Sequence, residues 1–450
     1  MRFLVGTHNI ANNVFMLRDG LRQLGFDADA VCISQNSKYY KTSADLYIGH
    51  LYQQCHTCVD EKQTKSLLLS SRWRHLLNYD VYIFVCSFSL LPGNEDFEVL
   101  KSHNKLIICY NTGDDFRHGP VAKELYKLYG VNHPESLSQY VPDQTRSRFH
   151  LGLQNLYLDS VARKLHSVRM AEYYADALFT LPCVSNLNIK PYMSLTVLGD
   201  PSSCEAGFPE RDIPLILHSP SSAIFKNSAS IISTVLSLWD EGYSFEFKMI
   251  RNVKNLHVIK SLTAADILLD QITVCGPALL ALEGMASGCA TLTCNESDVT
   301  ITPRVRIPAV NITHENIKER LKETISDKKL RIRLARDAYE YIKEGHHSPK
   351  SVAQNMITGL YRSLDLDFDC YPTTFYDYSH CFQATLSHKH LNDLSKNILN
   401  AWGCPSKKQV ASHPHFKDVN LEELKEWPIK TLKPHKWGYS SKFNGNLSVV

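Results

Sequence analysis

Short runs rich in β-branched and aromatic residues alternate, over most of the chain, with segments whose apolar residues recur every three or four positions. The runs have the length of strands, and the recurring spacing is that of one buried face of a helix. Strands that alternate with such helices are typical of parallel sheets built from βαβ units. The pattern therefore predicts an α/β fold.

The first unit is predicted over residues 1–205, with strands at 2–6, 29–33, 81–86, 105–110 and 177–181. Val14, Leu17, Leu21 and Leu24 form the apolar face of its first helix, which Gly25 is expected to end. Residues 111–160 are polar and irregular, which indicates an elaborated surface region.

A second unit is predicted over residues 206–364, with strands at 213–218, 245–250, 266–269 and 289–293. Its first helix has an apolar face and is closed by Gly242; that face consists of Ile231, Ile232, Val235, Leu238 and Trp239. A helix at 351–364 could cross back onto the first unit. Residues 365–450 lack the βα alternation and are predicted to be an extension of unknown role.

Length and composition agree with this division. The chain has 450 residues, about three times a typical domain of ~150. With 44% hydrophobic and 21% charged residues it is neither a disordered chain nor a coiled coil. The net charge of +3 does not suggest a nucleic-acid partner.

The apolar opening stretch is too short for a signal peptide, and no window approaches the ~18–20 apolar residues of a membrane helix. We expect a cytoplasmic protein, and a peripheral position on the inner face of a membrane stays open. Cys55 and Cys58 are interpreted as incidental thiols in a polar loop, with a redox pair as the alternative. Arg331, Arg333 and Arg336 predict a solvated helix face, with contact to an anionic membrane as the alternative.

Two segments carry candidate chemistry. Residues 215–227 form a strand, a Ser/Pro loop and Lys226 just before a helix, and a lysine beside unpaired helix amides suits a diphosphate. Residues 265–291 form a strand, a Gly-Pro loop and a helix that carries Glu283 within an apolar run. A buried carboxylate there needs a ligand or a partner, and it can accept both hydroxyls of a ribose. The two segments predict a nucleoside-diphosphate site.

These segments resemble the donor domain of GT-B glycosyltransferases, in particular the large retaining group called family 4. The first resembles its His-x-Pro-Ser...Lys-Gly element and the second its Asp-Ile-x-x-Asp-Gln...Glu-x-Met-Ala-x-Gly element. The matching residues are His218, Pro220, Ser221 and Lys226, then Asp266, Asp270, Gln271, Glu283, Met285, Ala286 and Gly288. A weaker match, 113–117, resembles the Gly-Ser-Asp-Ile-Arg of the acceptor domain.

The resemblance implies two Rossmann-like domains that face each other across a cleft, followed by the C-terminal extension. It implies a retaining glycosyltransferase that uses a UDP- or GDP-sugar, requires no metal or other cofactor, and acts on a glycan, lipid-linked or protein acceptor. Catalytic roles fall on Lys226, Glu283 and Asp115. Donor binding falls on Ser221, Ser222, Lys226, Asp270, Gln271, Gly276, Ala278, Leu279 and Glu283, and acceptor or cleft contacts on Asn12, Asn13, Asp114 and Arg117.

Other interpretations of these residues stay open. Asp270 and Gln271 could form a structural turn, Asp115 and Arg117 a local ion pair, and Asn12 and Asn13 a helix entry with left-handed backbone. The run 365–369 is interpreted as an acidic turn rather than as a metal-binding Asp-x-Asp.

The chain departs from the family pattern at several positions. The usual arginine is Ala223, the glycine after the donor lysine is Asn227, and the acid eight positions before Glu283 is Cys275. The glycine five positions before Glu283 is Ala278. These departures keep open the alternative of a non-catalytic nucleotide- or glycan-binding protein of this fold. A different enzyme of the same fold, a nucleotide-sugar epimerase or a phosphorylase, is the other alternative. The oligomeric state is left open.

Overall fold

The computed structural model of the protein describes residues 1–34, 43–86, 88–113, 161–181, 184–185, 187–200, 202, 204–221, 223, 226–272, 276–295, 307–370 and 393. Within these residues two parallel β-sheets carry helices on their faces. The predicted α/β class and its two sheets are therefore confirmed.

The first sheet has seven parallel strands in the order β3-β2-β1-β4-β5-β6-β7, an extended form of the Rossmann order. The strands are β1 (Arg2–Thr7), β2 (Asp27–Cys32), β3 (Leu46–Tyr47), β4 (Val81–Val85), β5 (Leu106–Asn111), β6 (Ala177–Thr180) and β7 (Met193–Ser194). The helices are α1 (Asn13–Gln23), α2 (Gly49–Cys55), α3 (Glu61–Leu69), α4 (Asp96–Ser102) and α5 (Val161–Tyr174).

The second sheet has five parallel strands in the order β12-β11-β10-β8-β9, the other common doubly wound arrangement. The strands are β8 (Leu215–His218), β9 (Glu246–Met249), β10 (Ile267–Leu269), β11 (Ala290–Thr293) and β12 (Val310–Asn311). The helices are α6 (Ser228–Asp240), α7 (Asn255–Thr263), α8 (Leu279–Ala286), α9 (Ile317–Ser326), α10 (Lys328–Lys343) and α11 (Pro349–Leu364).

Both faces of the first sheet are covered by helices. Tyr82 and Phe84 of β4 belong to one apolar cluster, and Val81 and Ile83 belong to the cluster on the opposite face. All five residues of β4 are buried, because helices pack on both sides of it. Because both faces are buried, such strands read as near-continuous apolar runs in the sequence. The predicted bounds differ from the observed ones by at most two residues.

Helix α11 returns to the first domain, as the sequence suggested it could. Val352, Ala353, Met356 and Leu360 lie in the apolar cluster of the first sheet. The contact with α1 is close at Gly20, where a Cβ atom would lie 2.0 Å from the carbonyl oxygen of Pro349. The boundaries at 205/206 and 364/365 stay predictions.

The end of α11 is held by the predicted acidic turn. Arg362 forms ion pairs with Asp367 at 2.6 Å and Asp369 at 2.7 Å. Asp369 also accepts a hydrogen bond from the backbone amide of Ser194, at 2.9 Å. The carboxylates therefore tie the C-terminal end of α11 to strand β7, and their role is structural.

Three smaller expectations have different outcomes. Trp239 was placed on the buried face of α6, which is wrong: it is 42% exposed and stacks on Phe245 with ring centroids 5.3 Å apart. Cys55 and Cys58 are both free thiols, as expected, but Cys55 is buried at the end of α2 instead of lying in a polar loop. Within the described residues, no helix is both long and apolar enough to cross a membrane.

Arg331 corrects the prediction of a solvated arginine face. Arg333 and Arg336 are exposed, but Arg331 is buried, and burial lowers its pKa. Its guanidinium donates hydrogen bonds to the carbonyl oxygens of Thr324 and Ile325, both at 3.0 Å, and to that of Arg211 at 2.6 Å. It thus binds the last carbonyls of α9, which lack helical partners. Helical spacing carried the signal, since Arg331 shares its face with buried residues: Ala335, Ala338 and Ile342.

We predict that Arg331→Met destabilises the protein by at least about 2 kcal/mol, because several buried carbonyl groups lose a charged donor. The matched control is Arg333→Met on the exposed side of the same helix, which should change the free energy of unfolding by less than about 0.5 kcal/mol. Chemical denaturation followed by circular dichroism measures both. Equal stability of the two variants would contradict the structural role of Arg331.

Candidate functional site

Two adjoining cavities lie where the carboxyl ends of the two sheets meet. The larger has a volume of about 370 Å³ and the smaller of about 180 Å³. Both are lined by Ile10 and Ala11, which follow β1, and by Ala278 and Leu279 at the start of α8. Open α/β sheets bind ligands at this edge, so the cavities mark the candidate site.

Lys226 reaches the larger cavity from the loop between β8 and α6. Its side chain is 11% exposed, and its Nζ atom donates to Oδ1 of Asp270 at 2.6 Å. Asp270 is fully buried and also accepts from the hydroxyl of Thr293, at 3.0 Å. A buried carboxylate thus holds the ammonium group of Lys226, a residue of the cavity wall, in a fixed position.

The loop around Lys226 explains one departure from the family pattern. Asn227 has a φ of 51°, in the left-handed region where glycine is favoured and asparagine is tolerated. Its side-chain oxygen also accepts a hydrogen bond from the amide of Ser230 in the first turn of α6. Asn227 therefore keeps the backbone geometry that a glycine would adopt, and it caps the helix as well.

Asp270 and Gln271 follow β10, as predicted, and both are buried. Asp270 pairs with Lys226, and the amide of Gln271 donates to the carbonyl oxygen of Gly276 at 3.1 Å. Gly276 has a φ of 88°, which strongly favours glycine. Gln271 therefore holds Gly276 in the loop before α8 and also lines the smaller cavity, whereas Asp270 serves as the partner of Lys226.

Glu283 lies on α8 and lines the larger cavity. The side-chain amide of Asn255 donates to its Oε1 atom at 2.8 Å. Burial raises the pKa of Glu283 to about 7, and the charge of Asp270 adds to this shift, whereas the Asn255 hydrogen bond and Lys226 act against it. The carboxyl group therefore changes its charge near neutral pH.

The N-terminus of α8 faces the same cavity. Its N-cap residue, Ala278, has extended backbone angles and makes no side-chain cap. Ala278, Leu279 and Leu280 line the cavity beside Lys226 and Glu283. The first amides of an uncapped helix are well suited to an anion.

His218 holds elements together behind the site. Its Nδ1 atom contacts the carbonyl oxygen of Leu269 at 2.8 Å, and its Nε2 atom contacts the hydroxyl of Ser228 at 2.8 Å. Burial lowers its pKa, so the ring is neutral at neutral pH: Nδ1–H donates and Nε2 accepts. His218 is thus a bridge between β8, β10 and α6 rather than a cavity residue.

The loop after β1 supplies the first domain's share of the site. Asn12 has the predicted left-handed backbone, with a φ of 66°, and Ala11 has a φ of 50°. Asn13 is buried and lines the smaller cavity. Tyr110 lines it too and donates its hydroxyl to the carbonyl oxygen of Thr196 at 2.8 Å.

Of the predicted site residues, Ser221, Lys226, Ala278, Leu279 and Glu283 line the larger cavity, and Asn13, Gln271, Gly276, Ala278 and Leu279 line the smaller one. Asn12 and Asp270 line neither. Ser222, Asp114, Asp115, Arg117 and also Cys275 lie outside the described residues.

The segment after β9 was missed by the motif-based prediction. Arg251, Asn252, Val253 and Asn255 all line the larger cavity. Arg251 is exposed and adds a second positive charge to the wall that holds Lys226. The available signal was the position of the segment, because it follows the carboxyl end of a predicted parallel strand.

No family model and no curated protein matches the chain. Solved structures do show similarity at low identity. Sucrose-phosphate synthase from Thermosynechococcus elongatus has a TM-score of 0.48 at 12% identity, over 81% of this chain and 98% of that one. HepE from Anabaena, in complex with UDP-glucose, has a TM-score of 0.47 at 9% identity, over 80% of this chain and 99% of that one. A glycosyltransferase from Rickettsia africae has a TM-score of 0.46 at 10% identity, over 81% of this chain and 98% of that one.

The raised pKa of Glu283 predicts a pH-dependent stability. Its pKa is about 7 in the folded protein against an ordinary value of 4.5, so between these values the folded state holds a proton that the unfolded state has released. Stability therefore falls as pH rises through this range. Glu283→Gln removes the titration, so its stability relative to wild type should rise by up to about 3 kcal/mol from pH 5 to pH 8.5.

Urea denaturation at several pH values measures this difference. Glu246→Gln, at an exposed position of strand β9 in the second sheet, is the matched control, and its stability should follow that of wild type at every pH. A constant difference between Glu283→Gln and wild type across the range would show that the folded-state pKa is not raised.

Proposed function

We propose that the chain is a GT-B glycosyltransferase that transfers a sugar from a nucleotide sugar to a hydroxyl acceptor with retention of configuration. One observation carries the proposal: a buried, oriented lysine, a carboxylate and an uncapped helix N-terminus all face one cavity between two doubly wound domains. In this proposal the lysine and the helix N-terminus bind a diphosphate, and the carboxylate binds a ribose.

The proposed donor lies along the wall of the larger cavity. The diphosphate contacts Lys226 and the first amides of α8, and the ribose hydroxyls donate to Glu283. The smaller cavity continues past Ala278 and Leu279 toward the first domain, so the transferred sugar lies near the junction of the two cavities. A volume of about 370 Å³ lies within the range of small-molecule sites.

In the proposed reaction the bond between the anomeric carbon and the diphosphate oxygen breaks, and a bond to the acceptor oxygen forms on the same face. Negative charge develops on the departing diphosphate, where Lys226 and the helix amides stabilise it. The acceptor proton goes to the leaving phosphate, so no protein base is required. Closure of the domains excludes water, which otherwise competes with the acceptor.

Several parts of the proposal come from the family resemblance. They are the UDP- or GDP-sugar donor, the glycan, lipid-linked or protein acceptor, the role of Asp115, Asp114 and Arg117 in the cleft, and a cytoplasmic or membrane-peripheral location. The scheme requires no metal and no nucleic acid.

The proposal is tested by a thermal-shift screen of UDP, GDP, their sugars and ATP on the full chain, because a ligand of the native state raises its melting temperature. We expect one nucleoside diphosphate and the corresponding nucleotide sugar to stabilise the protein. In a second assay, that nucleotide sugar should be consumed when a cell extract containing candidate acceptors is added. Stabilisation without any turnover would identify a binding protein. Turnover to an epimeric donor without acceptor would identify an epimerase.

Lys226→Met should weaken binding of the nucleoside diphosphate by about tenfold or more, because it removes a charge-assisted hydrogen bond and leaves Asp270 as an unpaired anion. Lys254→Met is the matched control, since Lys254 is exposed on the neighbouring loop and does not line the cavity. Isothermal titration measures both dissociation constants. An unchanged value for Lys226→Met would exclude the phosphate contact.

A further inference from the structure

We infer that Asn255 is a positioning residue of this site: its amide fixes the Glu283 carboxylate so that the cavity selects ribonucleotides over 2′-deoxyribonucleotides. The inference rests on the proposed function, because it concerns the carboxylate proposed to bind ribose. It concerns a residue outside the motifs that led to the site.

The geometry joins two helices at the cavity wall. Asn255 is the first residue of α7, and Glu283 lies on α8, 28 positions later in the chain. Side chains lean toward the N-terminus of their helix, so a residue in the first turn of α7 extends toward the cleft. Both residues line the larger cavity, and their side chains are joined by the 2.8 Å hydrogen bond.

Both ends of this hydrogen bond stand on fixed elements. Ile259 and Leu262 bury one face of α7, and Leu282 and Met285 bury one face of α8. The two helices are also in contact with each other. The bond therefore holds the carboxylate plane in one orientation instead of allowing it to follow a mobile loop.

The bond uses one part of the acceptor capacity of Glu283. A carboxylate has about four acceptor sites, and Asn255 occupies one on Oε1. The remaining sites on the two oxygens suit the two neighbouring hydroxyls of a ribose. A 2′-deoxyribose supplies one hydroxyl only, so the oriented carboxylate loses a donor and the deoxy ligand binds more weakly.

Asn255 also favours the ionised carboxylate. The charged groups that bear on Glu283 are Asp270, which favours the neutral form, and Lys226, which favours the charged form. Arg251 lines the same cavity, and Asp200 and His347 line a small cavity on the other side of Glu283. Among these surroundings the Asn255 amide is the direct hydrogen-bond donor, so its loss makes protonation easier.

The test compares wild type, Asn255→Ala and the exposed neighbour Lys254→Ala in the full chain. Isothermal titration with UDP, GDP and their 2′-deoxy forms is run at about pH 7 and about pH 8.5. At the lower pH, Asn255→Ala should lose about fivefold in affinity for the ribonucleotide and much less for the deoxy form. At the higher pH part of the loss should be recovered, because Glu283 is then ionised without the amide. Lys254→Ala should match wild type.

Asn255→Gln and Glu283→Gln complete the design. The first keeps an amide donor and should recover part of the ribose preference, and the second should lose the preference at both pH values. Equal losses for ribo and deoxy ligands in Asn255→Ala, with no recovery at high pH, would overturn the positioning role. If wild type binds neither nucleotide, the proposed function itself fails. If wild type prefers ribose and Asn255→Ala does the same, only this inference fails.

Discussion

The ion pair between Lys226 and Asp270 is the interaction on which the rest of the site depends. It joins the loop after β8 to the end of β10, and Thr293 of β11 completes the environment of the carboxylate. Burial of an ammonium group is costly without a counter-charge, and Asp270 supplies that counter-charge. The pair thus keeps a cation in place before any ligand arrives.

The charge balance of the cavity follows from this pair. Asp270 already matches the charge of Lys226, and Arg251 contributes a further positive charge at the wall. Glu283 changes its charge near neutral pH, so its ionisation responds to what the cavity holds. Ribose hydroxyls favour the ionised form, and a nearby phosphate favours the neutral one.

The two crossings of the chain between the domains lie side by side. The amide of Gly199 donates to the carbonyl oxygen of His347 at 3.0 Å, and Nδ1 of His347 donates to the carbonyl oxygen of Val197 at 2.7 Å. The hydroxyl of Tyr341 contacts the other ring nitrogen at 3.0 Å. A segment that leaves the first domain is thereby tied to the turn that leads back to it.

Periodicity predicted the longer strands and the helices with a clear apolar face, such as Asn13–Gln23 and Pro349–Leu364, whereas Val161–Tyr174 and Ile317–Ser326 were not predicted. The strands shorter than three residues were not found, because Leu46–Tyr47, Met193–Ser194 and Val310–Asn311 are too brief to show alternation. Residue type predicted Lys226 and Glu283, since their chemistry is visible in the chain itself. The role of Asp270 as a counter-ion and the hydrogen bond from Asn255 arise from neighbours 44 and 28 positions apart, which only the sheet order brings together.

Backbone conformation also decides how the departures from the family pattern bear on the site. A left-handed φ at residue 227 restricts the position to glycine, asparagine or a strained residue, and asparagine satisfies it while capping α6. Gly276 takes the left-handed position two residues before Ala278, so the turn into α8 retains a glycine although position 278 does not. At both positions the residues present therefore satisfy the backbone conformation that the described loops require. The two departures do not favour a degenerate protein over an active enzyme.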